Sequence, residues 1–204
     1  LGVKTQASQK MMPMPEAAEY GSLAFATQQE AIEALSAIGR SGFCEEAYCF
    51  DPATTQRSLD SATLMKDINR LSNVIRSQSN LIKGLQEGAK MAIAGRRFVE
   101  GNVHTLHFVC AGRSAAGVHD DCIEATRLAT AHGGVIISNT IPKAARANPF
   151  EPLNGILGAD GESWAALNAK VSHSDSAALI AAPAAAIDPY RARMAQHGVT
   201  MSFL

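Results

Sequence analysis

The stretch VHTLHFVCAGRSAAGVHDDCIEATRLATAHGGVIIS, residues 103–138, decides the fold. Its opening residues, 103–111, are rich in β-branched and aromatic side chains and end at a glycine, as a strand does. Ser114 can cap a helix that runs to about residue 132, where a Gly-Gly pair ends it. The short apolar run 135–138 is typical of a buried strand. The stretch therefore predicts one strand–helix–strand unit.

A second unit of the same kind precedes it. Residues 19–26 alternate as a strand, and Thr27 with Glu30 forms the sequence pattern of a capping box at the start of a helix. Another strand follows at 43–50. Two such units predict an α+β domain, a ferredoxin-like antiparallel sheet with helices packed on one face. Because neither face of the strand at 103–111 is purely polar, we expect some cover on both faces.

The other segments give weaker patterns. Residues 61–97 have the apolar spacing of a long helix, with glycines that predict a break near 80–88. Residues 139–161, rich in proline and glycine, are expected to be irregular, and 164–172 are expected to form a strand. A helix capped by Ser174 is expected to run to about residue 197 in two pieces that meet at Asp188-Pro189, with a last strand from residue 199.

Composition excludes several classes of function. The 204 residues include 47% hydrophobic residues and have a net charge of −1, which does not suit a protein that coats nucleic acid. The sequence has no apolar run long enough for a membrane-spanning helix. Its 4 cysteines are too few for a disulfide framework and indicate free thiols in a reducing, cytoplasmic compartment. Because the chain opens at Leu1 without a targeting pattern, we expect it to be a piece of a longer protein.

No self-contained catalytic motif is present in the sequence. His104 and His107 are three residues apart on a strand and therefore point to opposite faces, so they cannot chelate one metal ion together. The glycines of 155–161 follow a proline-rich loop rather than a strand, which does not match a dinucleotide-binding loop. We therefore predict no metal site, no cofactor-binding residue and no assigned catalytic residue within this chain.

The sequence as a whole resembles the cap domain of FAD-linked oxidases of the vanillyl-alcohol-oxidase and D-lactate-dehydrogenase superfamily. Two segments resemble the junction with the flavin-binding domain in that family: LGVKTQA (1–7) and MMPMP (11–15). Further segments resemble the body of the cap: KGLQEGAK (83–90), AGRR (94–97), LHFVCAG (106–112), NPFEPLNGILGADG (148–161), Trp164 and SHS (172–174). The resemblance implies a linker at 1–18 from a missing FAD-binding domain and a substrate (cap) domain at 19–204.

In that family the cap covers the flavin ring and shapes the substrate pocket, while another domain holds the FAD. The resemblance therefore implies a parent enzyme that oxidises its substrate by hydride transfer to FAD, and a chain that is inactive by itself. The implied partners are a small-molecule substrate, the parent's FAD-binding domain and, through an apolar or mixed sheet face, a second copy of the chain. No nucleic acid and no membrane span are expected.

The resemblance also suggests substrate-binding residues. The expected strand at 164–172 should face the flavin, which places Trp164, Asn168 and Lys170 on one face. Some relatives have a histidine near Asn168, and its absence here leaves the catalytic base unassigned. Arg146, expected in the loop before that strand, could bind a carboxylate with two hydrogen bonds. The secondary candidates are His107 and His173.

Three functions stay open on the sequence alone. A small 2-hydroxy acid such as D-lactate or glycolate would need a fixed cation such as Arg146, and the sequence slightly favours this substrate. A 4-hydroxybenzylic alcohol or phenol would instead need tyrosine or arginine side chains that stabilise a phenolate. The third alternative is a non-enzymatic ferredoxin-like module that binds a ligand or dimerises, for which the exposed sheet face should be polar.

Overall fold

The structure is a computed structural model, which describes residues 14–55, 103–147, 165 and 168–201. Two strand–helix–strand units form its sheet. The first consists of β1 (Ala17–Phe25), α1 (Gln28–Ser41) and β2 (Glu46–Phe50). The second consists of β3 (His104–Gly112), α2 (Ala115–Ala131) and β4 (Val135–Ile136). Further along the chain lie α3 (Thr140–Ala147), α4 (Ser176–Ile187), a 3₁₀ turn (Asp188–Tyr190) and α5 (Arg191–Gln196).

The strands pair in the order β2-β3-β1-β4, and each neighbouring pair is antiparallel. This order, with a helix after β1 and after β3, is the ferredoxin-like arrangement of two interleaved units. The two long central strands pair along their whole length, from Ala17 opposite Gly112 to Phe25 opposite His104. The predicted α+β fold class is therefore confirmed.

Local sequence sets the ends of α1. Thr27 Oγ1 accepts a hydrogen bond from the Glu30 backbone N–H at 3.3 Å, and Glu30 Oε2 accepts one from the Thr27 N–H at 3.0 Å. This is the predicted capping box, and it pairs two backbone donors that a helix start leaves free. At the other end Gly42 takes a φ of 76°, a left-handed conformation that suits glycine and stops the helix.

The core lies between the sheet and the helices α1 and α2, on the side that we call the helix face. From the strands it takes Leu23, Phe25, Leu106, Phe108 and Cys110, and from the helices alanines, Ile38 and Val118. The Phe108 ring lies directly over Gly21, where an added Cβ would come within 2.0 Å of Phe108 Cζ. A glycine at this point of β1 therefore makes room for the largest core ring on β3.

Four segments differ from the sequence expectations. The run 135–138, expected to be a buried strand, forms only the two-residue β4, whose side chains Val135 and Ile136 are 65% and 67% exposed. Residues 140–147, expected to be irregular, form α3, since Pro142 stands in the first helical turn, where its missing N–H costs nothing. The expected strand at 164–172 is wrong for 168–172, which have no strand pairing and are exposed. The last expected strand is likewise absent from 199–201. The long helix expected at 61–97 and most of the glycine-rich stretch lie outside the described residues.

The helices at the C-terminal end of the chain agree better with the sequence-based prediction. Two helical pieces, α4 and α5, meet at the 3₁₀ turn that contains Asp188 and Pro189, as predicted. The cap residue is Asp175 rather than Ser174. Its carboxylate accepts a hydrogen bond from Ser172 Oγ at 2.5 Å, which orders the turn before α4. Within the described residues, no helix combines the length and apolar content needed to cross a bilayer.

Candidate functional site

The sheet side opposite the helix face has a different composition. In register across β2, β3 and β1 it presents three rows of side chains: Glu46, Val109 and Tyr20; then Tyr48, His107 and Ser22; then Phe50, Thr105 and Ala24. We call this surface the polar face. These residues share one face because side chains alternate along each strand and because directly opposite residues on paired strands point to the same side.

The centre of the polar face is a chain of buried hydrogen bonds. His107 Nδ1 lies 2.8 Å from Ser22 Oγ, and His107 Nε2 lies 3.0 Å from Thr105 Oγ1. Thr105 Oγ1 in turn lies 3.1 Å from Thr55 Oγ1, in the turn after β2. All four side chains are nearly inaccessible, between 0% and 3% exposed. Both imidazole nitrogens are therefore paired, as buried polar groups normally are.

Burial fixes the protonation state of this histidine. It lowers the pKa of His107 to about 3, since a charged imidazolium would lose its hydration here. At neutral pH the ring is uncharged and holds its neighbours in a fixed pattern of donors and acceptors. His107 thus orders the polar face from within and presents no free nitrogen to a substrate.

Aromatic rings surround the imidazole. The ring centroids of Tyr48 and Phe50 lie 5.5 Å and 5.2 Å from that of His107, and 5.3 Å from each other. The Tyr48 hydroxyl is buried and has no hydrogen-bond partner in the part of the chain that the structure describes. Burial, and to a lesser degree the charge of Glu46, raises the pKa of Tyr48 to about 12, so the phenol keeps its proton. It is a donor without an acceptor, which costs about 1–3 kcal/mol unless a ligand or water pairs it.

A cation lies at the edge of the polar face. Helix α3 packs against β1 and β3, and Arg146 in its last turn donates to Glu46 Oε1 at 2.7 Å and to Glu45 Oε2 at 3.1 Å. Burial raises the pKa of Tyr20. The positive charge of Arg146 opposes this rise, and the negative charges of Glu46 and Glu45 add to it. A phenol, a guanidinium and two carboxylates therefore meet at this edge.

The structure brings together only two of the residues suggested by the sequence. Arg146 and His107 both lie at the polar face. His173 lies on the other side of the sheet, where its ring contacts α1 at Gly39 and lines an open groove of about 380 Å³ with Glu33, Arg40 and His132. Asn168 and Lys170 are exposed and outside any strand. Trp164 lies outside the described residues.

Sequence reasoning did not select Tyr48, Ser22, Thr105 or Thr55. The signal that could have found Tyr48 is the alternation of β2, in which Glu46, Tyr48 and Phe50 share one face while Ala47 and Cys49 share the other. The pairing of Ser22 with His107 has no such local signal, because it depends on the register of two strands 85 residues apart in sequence. Among the described residues, no three histidine, cysteine or acidic side chains are grouped so that they could hold a metal ion.

Comparisons with known proteins give distant structural likenesses. No family model matches the sequence, and no curated protein matches it. The solved structures similar to this chain include two crystal forms, P1 and P212121, of an alkyldihydroxyacetonephosphate synthase, each at 18% identity. The TM-scores are 0.44 and 0.41, over 72% and 71% of this chain. The chain spans about a quarter of the length of those proteins, 25% and 24%. At this level the likeness does not decide the fold, which rests on the strand order described above.

Proposed function

We propose that this chain is the substrate-binding cap domain of an FAD-dependent oxidoreductase. In this proposal the polar face lies toward a flavin that another domain of the parent protein holds. FAD supplies the redox chemistry when bound, and the cap orients the substrate and excludes water. The parent enzyme would oxidise a small 2-hydroxy acid of the D-lactate or glycolate kind by hydride transfer to the flavin, and the chain alone would be inactive.

The observation that supports the proposal most is the composition of the polar face. A self-sufficient ferredoxin-like module should leave a plainly polar surface on the open side of its sheet. Here that side is mixed and its centre is buried: it combines the rings of Tyr48 and Phe50 with Val109 and a fully paired His107, the last two 0% exposed. The Tyr48 hydroxyl, which lacks an acceptor, fits a face that is completed by an oxygen or nitrogen atom of a bound molecule.

Arg146 is the residue proposed to bind the carboxylate of a 2-hydroxy acid. Its guanidinium has five N–H donors in a planar fork, which leaves capacity beyond the two bonds to Glu45 and Glu46. Those glutamates hold the fork in position, but they also offset its charge. We therefore expect a substrate carboxylate to compete with Glu45, whose contact is the longer of the two.

A 4-hydroxybenzylic substrate is the second candidate, and two tyrosines favour it. Tyr20 and Tyr48 lie on the polar face, and the charge of Arg146 offsets part of the rise in the Tyr20 pKa that burial causes. Hydrogen bonds from phenol and guanidinium groups are what a substrate phenolate needs. The same face thus suits either substrate, and an assay must separate them.

The other residues suggested by the resemblance remain proposals. Asn168 and Lys170 are exposed, so contact with a substrate would require the parent's FAD-binding domain to pack against this segment. The same holds for His173, which is also exposed, whereas Trp164 lies outside the described residues and is a candidate on the resemblance alone. A cytoplasmic location and self-association of the chain are proposed on the sequence alone.

The test uses the parent protein that the proposal implies, with its FAD-binding domain and this chain in one polypeptide. Its flavin absorbance is recorded anaerobically while D-lactate, glycolate and vanillyl alcohol are added in turn. Bleaching by a 2-hydroxy acid supports the first candidate, and bleaching by vanillyl alcohol supports the second. A parent protein that binds no flavin, or a chain that alone binds FAD tightly and stoichiometrically, overturns the cap proposal.

A further inference from the structure

Three of the chain's cysteines meet at one corner of the helix face. Cys44 precedes β2, Cys110 lies on β3 and Cys122 lies on α2. The sulfur atoms of Cys44 and Cys110 are 3.6 Å apart, and the Cys122 thiol is close enough to influence the pKa of Cys110. All three are free thiols. Neither the fold nor the proposed function requires thiols at these positions, so the cluster calls for an explanation of its own.

The pairing of β2 with β3 creates this contact. The Glu45 N–H donates to the Val109 carbonyl at 2.8 Å, just before the strand pairing that puts Glu46 opposite Val109. This bond holds Cys44 diagonally across from Cys110. The fourth cysteine, Cys49, is elsewhere, with its Sγ 3.6 Å from the Ala31 carbonyl oxygen on α1. Cys49 therefore provides an internal reference that has no sulfur neighbour among these three.

We propose that Cys44 and Cys110 are an oxidisable thiol pair, which a hydroperoxide converts into an intramolecular disulfide. The Sγ of Cys44 attacks the peroxide, the O–O bond breaks, and the products are a sulfenic acid and water, or an alcohol where the hydroperoxide is organic. The Sγ of Cys110 then attacks the sulfenic sulfur, the S–S bond forms, and the hydroxyl leaves as a second water. Two thiols are oxidised by two electrons in all, and one hydroperoxide is reduced.

Accessibility decides which sulfur reacts first. Cys44 is partly exposed, whereas Cys110 is 0% exposed. The neighbouring Cys122 thiol lowers the pKa of Cys110, but the contact with Cys44 and burial raise it, to about 12 overall. Because a peroxide in solvent can reach Cys44 but not Cys110, Cys44 reacts first, and Cys110, whose sulfur already lies beside it, acts as the resolving thiol. A disulfide bond of about 2.05 Å needs the sulfurs about 1.5 Å closer than they lie now, which rotation of the Cys44 side chain can supply.

The experiment treats the purified chain with hydrogen peroxide and counts thiols after denaturation. Free thiols should fall from 4 to 2 per chain, with no covalent dimer. Digestion with trypsin alone leaves Cys44 and Cys49 in one peptide, so a glutamate-specific protease is added to cleave after Glu45 and Glu46. Mass spectrometry should then find the Cys44 peptide joined to the Cys110 peptide. A dominant Cys110–Cys122 link, or thiols that stay at 4, overturns the proposal.

Matched variants separate the pair from its neighbours. C44S, at a partly exposed position, and C110A, which keeps a small apolar side chain in the core, should each abolish the cross-link. C49S and C122S should form it at the wild-type yield. If C110A fails to fold, C44S alone decides the result. Persistence of a cross-link in C44S, or its loss in C49S, contradicts the assignment.

Discussion

The two faces of the sheet both bury side chains, but the helix face does so by apolar packing and the polar face by hydrogen bonding. On the helix face β3 contributes Leu106 and Phe108, both 0% exposed and packed against apolar side chains. On the polar face the intervening residues Thr105 and His107 are equally inaccessible, but each is paired by hydrogen bonds. Exposure alone therefore does not distinguish the core from the candidate site; the kind of contact does. Burial of apolar surface area and close packing stabilise the helix face. On the polar face, hydrogen bonds hold donors and acceptors in a fixed arrangement.

The largest expected effect comes from the helix face. Phe108→Ala removes a buried ring and leaves a cavity over Gly21, so the free energy of unfolding should fall by about 3–5 kcal/mol. Urea unfolding followed by circular dichroism measures the loss. The matched control is Ile123→Ala on α2, whose side chain is 51% exposed and whose loss should cost well under half as much. Equal losses in the two variants would contradict the position of the core.

His107→Gln tests the polar face. The variant should lose about 1–3 kcal/mol at pH 7, because Ser22 and Thr105 lose a well-placed partner. The folded-state pKa of His107 lies near 3, below the ordinary value of 6.5, so between these values the unfolded chain binds the extra proton. The free energy of unfolding of the wild type should therefore decrease as the pH is lowered from about 6.5 toward 3, by about 1.4 kcal/mol per pH unit for this group.

Glutamine does not titrate, so the stability gap between the variant and the wild type should narrow as the pH falls from 7 to 5. Urea midpoints at the two pH values measure the gap. Because the other histidines are present in both proteins, their titration cancels in the difference. A gap that is unchanged or wider at pH 5 would show that His107 is not buried as a neutral ring.

Two hydroxyls of the polar face form a matched pair. Ser22→Ala removes a paired hydroxyl and leaves His107 Nδ1 unpaired, at a cost of about 1–2 kcal/mol. Tyr48→Phe removes an unpaired hydroxyl, so it should be neutral or stabilise the chain by up to about 1 kcal/mol. Thermal unfolding of both variants checks the contrast. In the parent enzyme, Tyr48→Phe should instead weaken substrate turnover, and an unchanged kcat/KM would argue against a role for this hydroxyl.

Arg146→Met should have the smallest effect on stability, about 0–1 kcal/mol, because its ion pairs with Glu45 and Glu46 are partly exposed and screened by solvent. For a 2-hydroxy acid substrate, KM in the parent enzyme should rise at least about tenfold, the effect of losing about 1.4 kcal/mol of binding. Arg191→Met, which breaks an exposed pair with Asp188, is the control and should leave KM unchanged. If KM is the same in both variants, Arg146 does not bind the substrate.

Much of the sheet could be predicted because its signals are local. The capping box at Thr27 and Glu30, the Gly-Gly pair after α2 and the strand residues of β3 each lie within a few residues of what they determine. The segment at 140–147 was missed because three prolines and three glycines in 139–161 suggested an irregular loop, although a proline in the first turn is compatible with a helix. The strand expected at 168–172 was wrong because alternation there has no neighbouring strand to pair with.

The sequence by itself determined the order of elements in the two strand–helix–strand units, the alternation that gives each strand two faces, and the opposite directions of His104 and His107. Only the tertiary structure decided which of those faces would be apolar and which would hold the paired histidine. It also decided that Arg146 would meet two glutamates and that Cys44 would touch Cys110. The physical reason is sequence distance: strand register and helix docking join side chains 66 to 101 residues apart, and no local pattern encodes such pairs.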